Sequence, residues 1–111
     1  MFRTDLWVAA FVRRHNDLGE ICVVVNRGDP IAGQIFIEID HLDGRASLLT
    51  PAPSAARAEG DEDRIFVRRF AQVDPPKVEA RVALERGYDP DLWVISLETR
   101  HPEIGVTEIA V

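Results

Sequence analysis

The side chains with the clearest capacity for chemistry in this chain are arginines. Twelve of its thirteen basic residues are Arg, whose planar forks suit carboxylate and phosphate, although coding bias is the plainer reading of that excess. Arg13, Arg14 and Arg27 lie near predicted element ends and could converge on an anion. Asp29 follows Arg27 in a loop bracketed by Gly28 and Gly33, with Trp7 and Trp93 as possible neighbours. Arg13, Arg14, Arg27, Asp29 and Trp93 are therefore the candidate binding residues. The loop has neither Gly-Lys-Ser nor a Gly-x-Gly-x-x-Gly run after a strand. The tripeptide Arg27-Gly28-Asp29 spells a cell-adhesion sequence, which in an acidic chain is read as chance.

Other chemistries find less support. Ser47, Ser54 and Ser96 lack a nucleophile-elbow context. Cys22 sits in an apolar run and reads as an inert core thiol. His15, His41 and His101 are scattered without ligand spacing, so no metal site is expected. Asp89 and Asp91 read as a turn, and Asp61, Glu62 and Asp63 as a solvated cluster. No catalytic residue and no cofactor are assigned.

Composition bounds the class. The chain has 111 residues, 46% hydrophobic and 29% charged, enough for one domain over 1–111 with its own core. A single cysteine allows no internal disulfide. Arg3 and Asp5 precede only a short apolar run, so no signal peptide is expected. Leu6 to Val12 is too short to span a membrane. The chain reads as a cytoplasmic bacterial protein. Its net charge of −6 argues against nucleic acid as a partner.

These candidates must be positioned by regular elements. Residues 92–98, where Trp93, Ile95 and Leu97 alternate with Val94, Ser96 and Glu98, read as a strand. The tetrapeptide pattern at its start, Asp91-Leu92-Trp93-Val94, repeats Asp5-Leu6-Trp7-Val8. The repeat favours a strand over 5–14. A helix then follows, capped by Asp17 and Glu20, with Leu18, Ile21, Cys22 and Val25 on one face. The opposite assignment, a helix at 5–18 and a strand at 20–26, is the alternative, favoured by the poor helix propensity of Ile21 and Val23 to Val25. Residues 34–40 form a strand with Ile35, Ile37 and Ile39 on one face. Asp43-Gly44 turns it into an antiparallel return at 45–50. Residues 51–63 read as a mobile acidic surface loop, and Ile65 to Phe70 as the next strand. Asp74 caps a second helix with Pro75 at its first position, Val78 and Val82 as its apolar stripe, and Gly87 at its close. Tyr88 can fold back on that helix. The tail, 100–111, carries a short extended piece at 106–110.

The expected fold is mixed α/β (α+β). One five-stranded, mostly antiparallel mixed sheet in the order β-α-β-β-β-α-β carries two covering helices, with a parallel crossover joining the first two strands. The alternative order is α-β-β-β-β-α-β with an all-antiparallel sheet. Alternation also groups Phe36, Phe66 and Phe70 on a second apolar face. Left uncovered, that face would be an interface for a protein partner or a second copy of the chain.

Three motifs occur together: Leu6-Trp7-Val8-Ala9-Ala10 before Arg13-Arg14, Arg27-Gly28-Asp29-x-x-Ala32-Gly33, and Asp89-Pro90-Asp91-Leu92-Trp93-Val94. Leu42-Asp43-Gly44 and Pro51-Ala52-Pro53 lie between them. On these the chain resembles, over nearly its whole length, a family of small bacterial proteins known as domain of unknown function fourteen-ninety-one. The resemblance implies a compact layered α/β fold and no activity, cofactor or catalytic residue. Segment 20–25 is richer in β-branched residues than the alanine-rich version associated with that family. The functional expectation is a non-enzymatic interaction or binding module. A small enzyme built from Arg27, Asp29 and the tryptophans is the alternative.

Overall fold

A computed structural model describes residues 3–53 and 64–110. The acidic stretch expected to be a loop falls largely outside the described residues. The elements are α1 (Thr4–Asp17), β1 (Ile21–Asn26), β2 (Ile35–Asp40), β3 (Ala46–Pro51), β4 (Ile65–Val73), α2 (Pro75–Tyr88), β5 (Trp93–Glu98) and β6 (Thr107–Ile109). All six strands form one mixed sheet in the order β1-β5-β2-β3-β4-β6. The pairs β2/β5 and β4/β6 are parallel and the other three are antiparallel.

The strand expected at 5–14 is a helix, and the helix expected at 17–27 is strand β1. Thr4, Val8, Phe11 and His15 form the buried stripe of α1, at the spacing of one helical face. Leu6, apolar but off that stripe, is 57% exposed. The two copies of Asp-Leu-Trp-Val thus take different structures, because four residues do not set a period and the surrounding residues do. Val23 to Val25 are β-branched and fit a pleated surface better than a helix. Asp17 and Glu20 do not form a capping box. Gly19, at φ +84°, sits just past the end of α1 in the left-handed conformation that suits glycine. The helix-first alternative therefore gives the right order through β5, but its all-antiparallel sheet is wrong.

The strand count also differs. The extended piece expected in the tail pairs with β4 as a sixth strand, Ile65 opposite Thr107 and Val67 opposite Ile109. The parallel crossover does not join the first two strands. It joins β2 to β5 through β3, β4 and α2, so those two central strands lie side by side from Ile35↔Trp93 to Asp40↔Glu98. No helix among the described residues is long and apolar enough to cross a membrane.

The sheet has a core on each face. On the α1 face, Val8 and Phe11 pack with Cys22, the Ile35–Ile37–Ile39 row, Leu49, Phe66, and the Trp93–Ile95–Leu97 row. On the α2 face, Val78 and Val82 cover Phe36, Ala46, Leu48, Leu92 and Val94. Val78 and Val82 thus form the expected stripe. Asp74 makes no side-chain cap bond, its carboxylate pairing instead with Arg45 at 3.0 Å. Gly87 lies inside α2, and Tyr88 is 79% exposed rather than folded back.

A buried polar network ties α1 to the tail. His15 Nδ1 lies 2.6 Å from Glu20 Oε1, and its Nε2 lies 3.0 Å from the Ile104 carbonyl oxygen. The Thr99 hydroxyl donates to the other Glu20 oxygen. Burial alone would raise the Glu20 pKa. The His15 and Thr99 hydrogen bonds and the charge of His15 outweigh it and hold the pKa below its ordinary value. Such a carboxylate stabilises the fold above its unfolded pKa of about 4.3, and the effect is lost as pH falls through the folded value. Glu20→Gln is therefore expected to lower the urea midpoint at neutral pH. The gap from the native protein should close below about pH 4.

Candidate functional site

The loop between β1 and β2 was the first candidate. The Arg27 guanidinium lies 5.0 Å from the Trp93 ring centroid, a cation–π distance. The Trp93 indole N–H donates to the Asp29 carbonyl at 2.7 Å. The Asp29 carboxylate accepts the N–H groups of Ile31 and Ala32 at 3.1 and 2.7 Å. Its own N–H donates to the Asp91 carbonyl at 3.0 Å. A Cβ on Gly28 would fall 2.0 Å from that same carbonyl oxygen. Arg27, Asp29 and Trp93 are thus brought together, in a loop that presses its backbone onto the start of β5.

The other arginines lie elsewhere. Arg14 is ten residues along α1 from Thr4, about 15 Å at the helical rise. Thr4 bonds the Ile31 and Gly33 carbonyls, so the loop is at the opposite end of the helix. Arg14 reaches Ile104 and Gly105, and Arg13 is exposed on α1. The expected convergence of Arg13, Arg14 and Arg27 does not form, because α1 is a helix and its length separates them.

The phenylalanine face does not form either. Phe66 is 1% exposed on the α1 face, 5.8 Å from the Trp7 ring, whereas Phe36 lies under α2 with Phe70 beside it. Pairing shifts register along β4, where Leu48 faces Phe70 but Leu49 faces Arg68. One extra residue inverts the alternation, which separates Phe66 from Phe70. The structure also makes a pair that the sequence did not suggest: His41 Nε2 lies 2.7 Å from Ser47 Oγ, which accepts the Gln72 N–H at 3.0 Å. Ser47 is fully buried, and the pair anchors the irregular end of β4, where Gln72 has φ +51°. Cys22 is buried, and burial, reinforced by the Glu20 charge, pushes its thiol up to about 11, the reverse of an activated nucleophile.

The surface without a cover lies next to α2. That helix packs on β2, β3 and β4. A helix is about 10 Å wide and strands lie about 4.8 Å apart, so β1 and the adjoining edge of β5 remain bare on this face. Cys22 and Val24 point to the α1 core, so Ile21 and Val23 point the other way, and Val25 is the extra residue of an irregularity between Val24 and Asn26. Ile21, Val23 and Val25 are 56%, 49% and 48% exposed. Across the sheet the rows run Ile21–Glu98–Asp40 and Val23–Ser96–Glu38. The result is a groove with an apolar ridge on β1, an acidic floor on β5 and β2, and α2 as its far wall. Arg86 bonds Asn26 Oδ1 at 2.9 Å across one end. Burial, then the charge of Glu79, raises the Glu38 pKa, and Arg86 only partly opposes this.

The free edge of β1 is blunted. The Asn16 side chain accepts the Cys22 N–H and donates to the Cys22 carbonyl, both at 2.9 Å. It occupies the positions that an added strand would use.

A family model described as a protein of unknown function (DUF1491) matches residues 2–106. The chain belongs to this family. A DUF1491 crystal structure from Caulobacter crescentus is 28% identical and superposes with a TM-score of 0.81, covering 98% of this chain and 100% of that one. A solution structure of a protein from A. tumefaciens is 30% identical, with a TM-score of 0.82 over 98% and 95% of the two chains. No curated protein matches. The DUF1491 fold thus comes with relatives of similar architecture and without an assigned activity.

In this DUF1491 chain the Arg27–Asp29 loop has a packing role that substitution can expose. Asp29→Ala removes the acceptor for two backbone N–H groups and is expected to cost about 1–2 kcal/mol. Gly28→Ala should cost about 3 kcal/mol by overpacking. Urea denaturation followed by far-ultraviolet circular dichroism measures both.

Proposed function

We propose that this DUF1491 chain is a non-enzymatic interaction module, and that the groove between β1 and α2 receives a basic amphipathic helix of a partner protein. The observation that carries this reading is the pairing of an apolar ridge, Ile21 and Val23, with the acidic floor of Glu38, Asp40 and Glu98. An exposed isoleucine and valine in a row favour apolar contact, and the floor selects Lys and Arg by charge. A helix laid alongside α2 completes the half-covered layer. The Asn16 clamp on Cys22 disfavours an added strand. A second copy of this chain is the poorer occupant, since two-fold pairing sets acid against acid. The closed packing at Gly28 and Gly33 and the committed Asp29 carboxylate argue for a packing role of the Arg27 loop rather than a catalytic one.

The raised pKa of Glu38 means that the folded state holds its proton more tightly than the unfolded chain does. Stability therefore falls as pH rises from about 4.3 through the folded value. Glu38→Gln is expected to raise the melting temperature at pH 7 and to leave it unchanged at pH 3. A gain at both pH values would remove the electrostatic account.

Binding is tested by nuclear magnetic resonance with an amphipathic Leu/Lys peptide of about 14 residues, the length of α2 at ~1.5 Å per residue. Saturable shifts at Val23 and Ser96 are expected, weakened by salt and abolished in Val23→Lys. Shifts spread over the whole surface, or unchanged in that variant, would refute the groove.

A further inference from the structure

On the flank of α2 away from β1, that helix and strands β2, β3 and β4 enclose a cavity of about 350 Å³, within the roughly 300–1,000 Å³ of small-molecule sites. We propose that this cavity binds a small zwitterion, an ω-amino acid with its carboxylate at one end and its ammonium at the other. The site is separate from the partner groove and does not depend on it.

The cavity is electrically two-ended. Arg69 from β4 and Arg81 from α2 line its positive end. Each is anchored through Nε: Arg69 to the Thr50 hydroxyl at 3.2 Å, and Arg81 to the Glu85 carboxylate at 2.9 Å. Thr50 is itself buried, so the Arg69 anchor is part of the wall. The terminal nitrogens of both guanidinium groups bond nothing else among the described residues. A guanidinium held in this way still presents paired N–H donors to a carboxylate. Asp89, the residue that ends α2, lines the negative end. One of its carboxylate oxygens accepts the Asp91 N–H at 2.9 Å, and the other has no partner among the described residues. The last carbonyls of α2 add partial negative charge there, which favours a cation.

The register of the sheet sets the two ends apart. Leu49 pairs with Ile37, which lies beside Ile95, so Thr50 is level with Val94. Asp89 instead accepts the N–H of Leu92, two residues lower. Along the helix, Arg81 and Asp89 are eight positions apart, about 12 Å at the helical rise. The adjacent charges of an α-amino acid cannot bridge that separation. With a hydrogen bond of about 2.9 Å at each end, a chain of about four to six carbons can. Phe36 and Leu92, both buried, line the span between the ends and give the methylene groups an apolar floor.

The test is a titration of the full chain with δ-aminovalerate, glycine, valerate and pentylamine. Nuclear magnetic resonance follows the Nε–H groups of Arg69 and Arg81 and the backbone N–H groups of Thr50 and Asp89. Saturable shifts at both ends are expected with δ-aminovalerate, at a Kd about ten-fold below that of each other probe. Arg69→Gln should erode the preference over pentylamine, and Asp89→Asn the preference over valerate. Should either variant fail to fold, the four probes on the native protein decide alone. Absence of saturable shifts, or glycine or a singly charged probe binding as tightly, would overturn the proposal. So would unchanged affinities in the folded variants.

Discussion

The parallel pairing of β2 with β5 constrains everything else in this fold. Ile35, Ile37 and Ile39 lie beside Trp93, Ile95 and Leu97, all at or near zero exposure. Parallel strands cannot be joined by a tight turn, so the chain between them must leave the sheet and return. It does so through β3, β4 and α2, which places α2 on one face. The opposite face, where the two buried rows point, is then left for α1. The loop from Arg27 to Gly33 supports the same pairing by packing its glycines against Asp91 and Trp93.

The two helices among the described residues are too few to cover both faces of a six-stranded sheet. α1 lies over the longer apolar rows, and α2 lies over β2, β3 and β4. Strand β1 therefore keeps one buried face and one bare face. The bare face is not a plain apolar patch, since acids from β5 and β2 adjoin it. Its backbone edge is capped by Asn16, a protection against edge-to-edge association that leaves the side-chain surface open. The proposed docking role rests on this combination of a blocked edge and an open face.

The charge distribution separates the two faces further. The groove beside α2 gathers Glu38, Asp40, Glu79 and Glu98, whereas Arg14 and Arg64 line the cleft under α1. A net charge of −6 says nothing of this division. Buried polar groups join the two regions to the core: His15 and Glu20 brace the strap that walls the cleft, and Glu38 lies in the floor of the groove.

Several features were legible in the residues themselves. Alternation placed Ile35, Ile37 and Ile39 together, Asp43-Gly44 marked the hairpin, Pro75 marked the start of α2, and the motif set pointed to the DUF1491 family. These are local or period-two signals, and they depend only on neighbours along the chain. Residues 5–14 and 20–26 were misassigned because an all-apolar run has no period to read, and only the packing of Thr4, Val8, Phe11 and His15 selects the helix. Phe66 and Phe70 were grouped wrongly because an extra residue in β4 inverts a face without changing any local pattern. The meeting of Arg14 with Arg64, fifty positions apart, and of β1 with the acids of β2 and β5 follows from strand order. By itself the sequence determined a small α+β domain, its family and most of its strands. Tertiary structure alone decided which side chains share a surface, because that depends on non-local pairing and register.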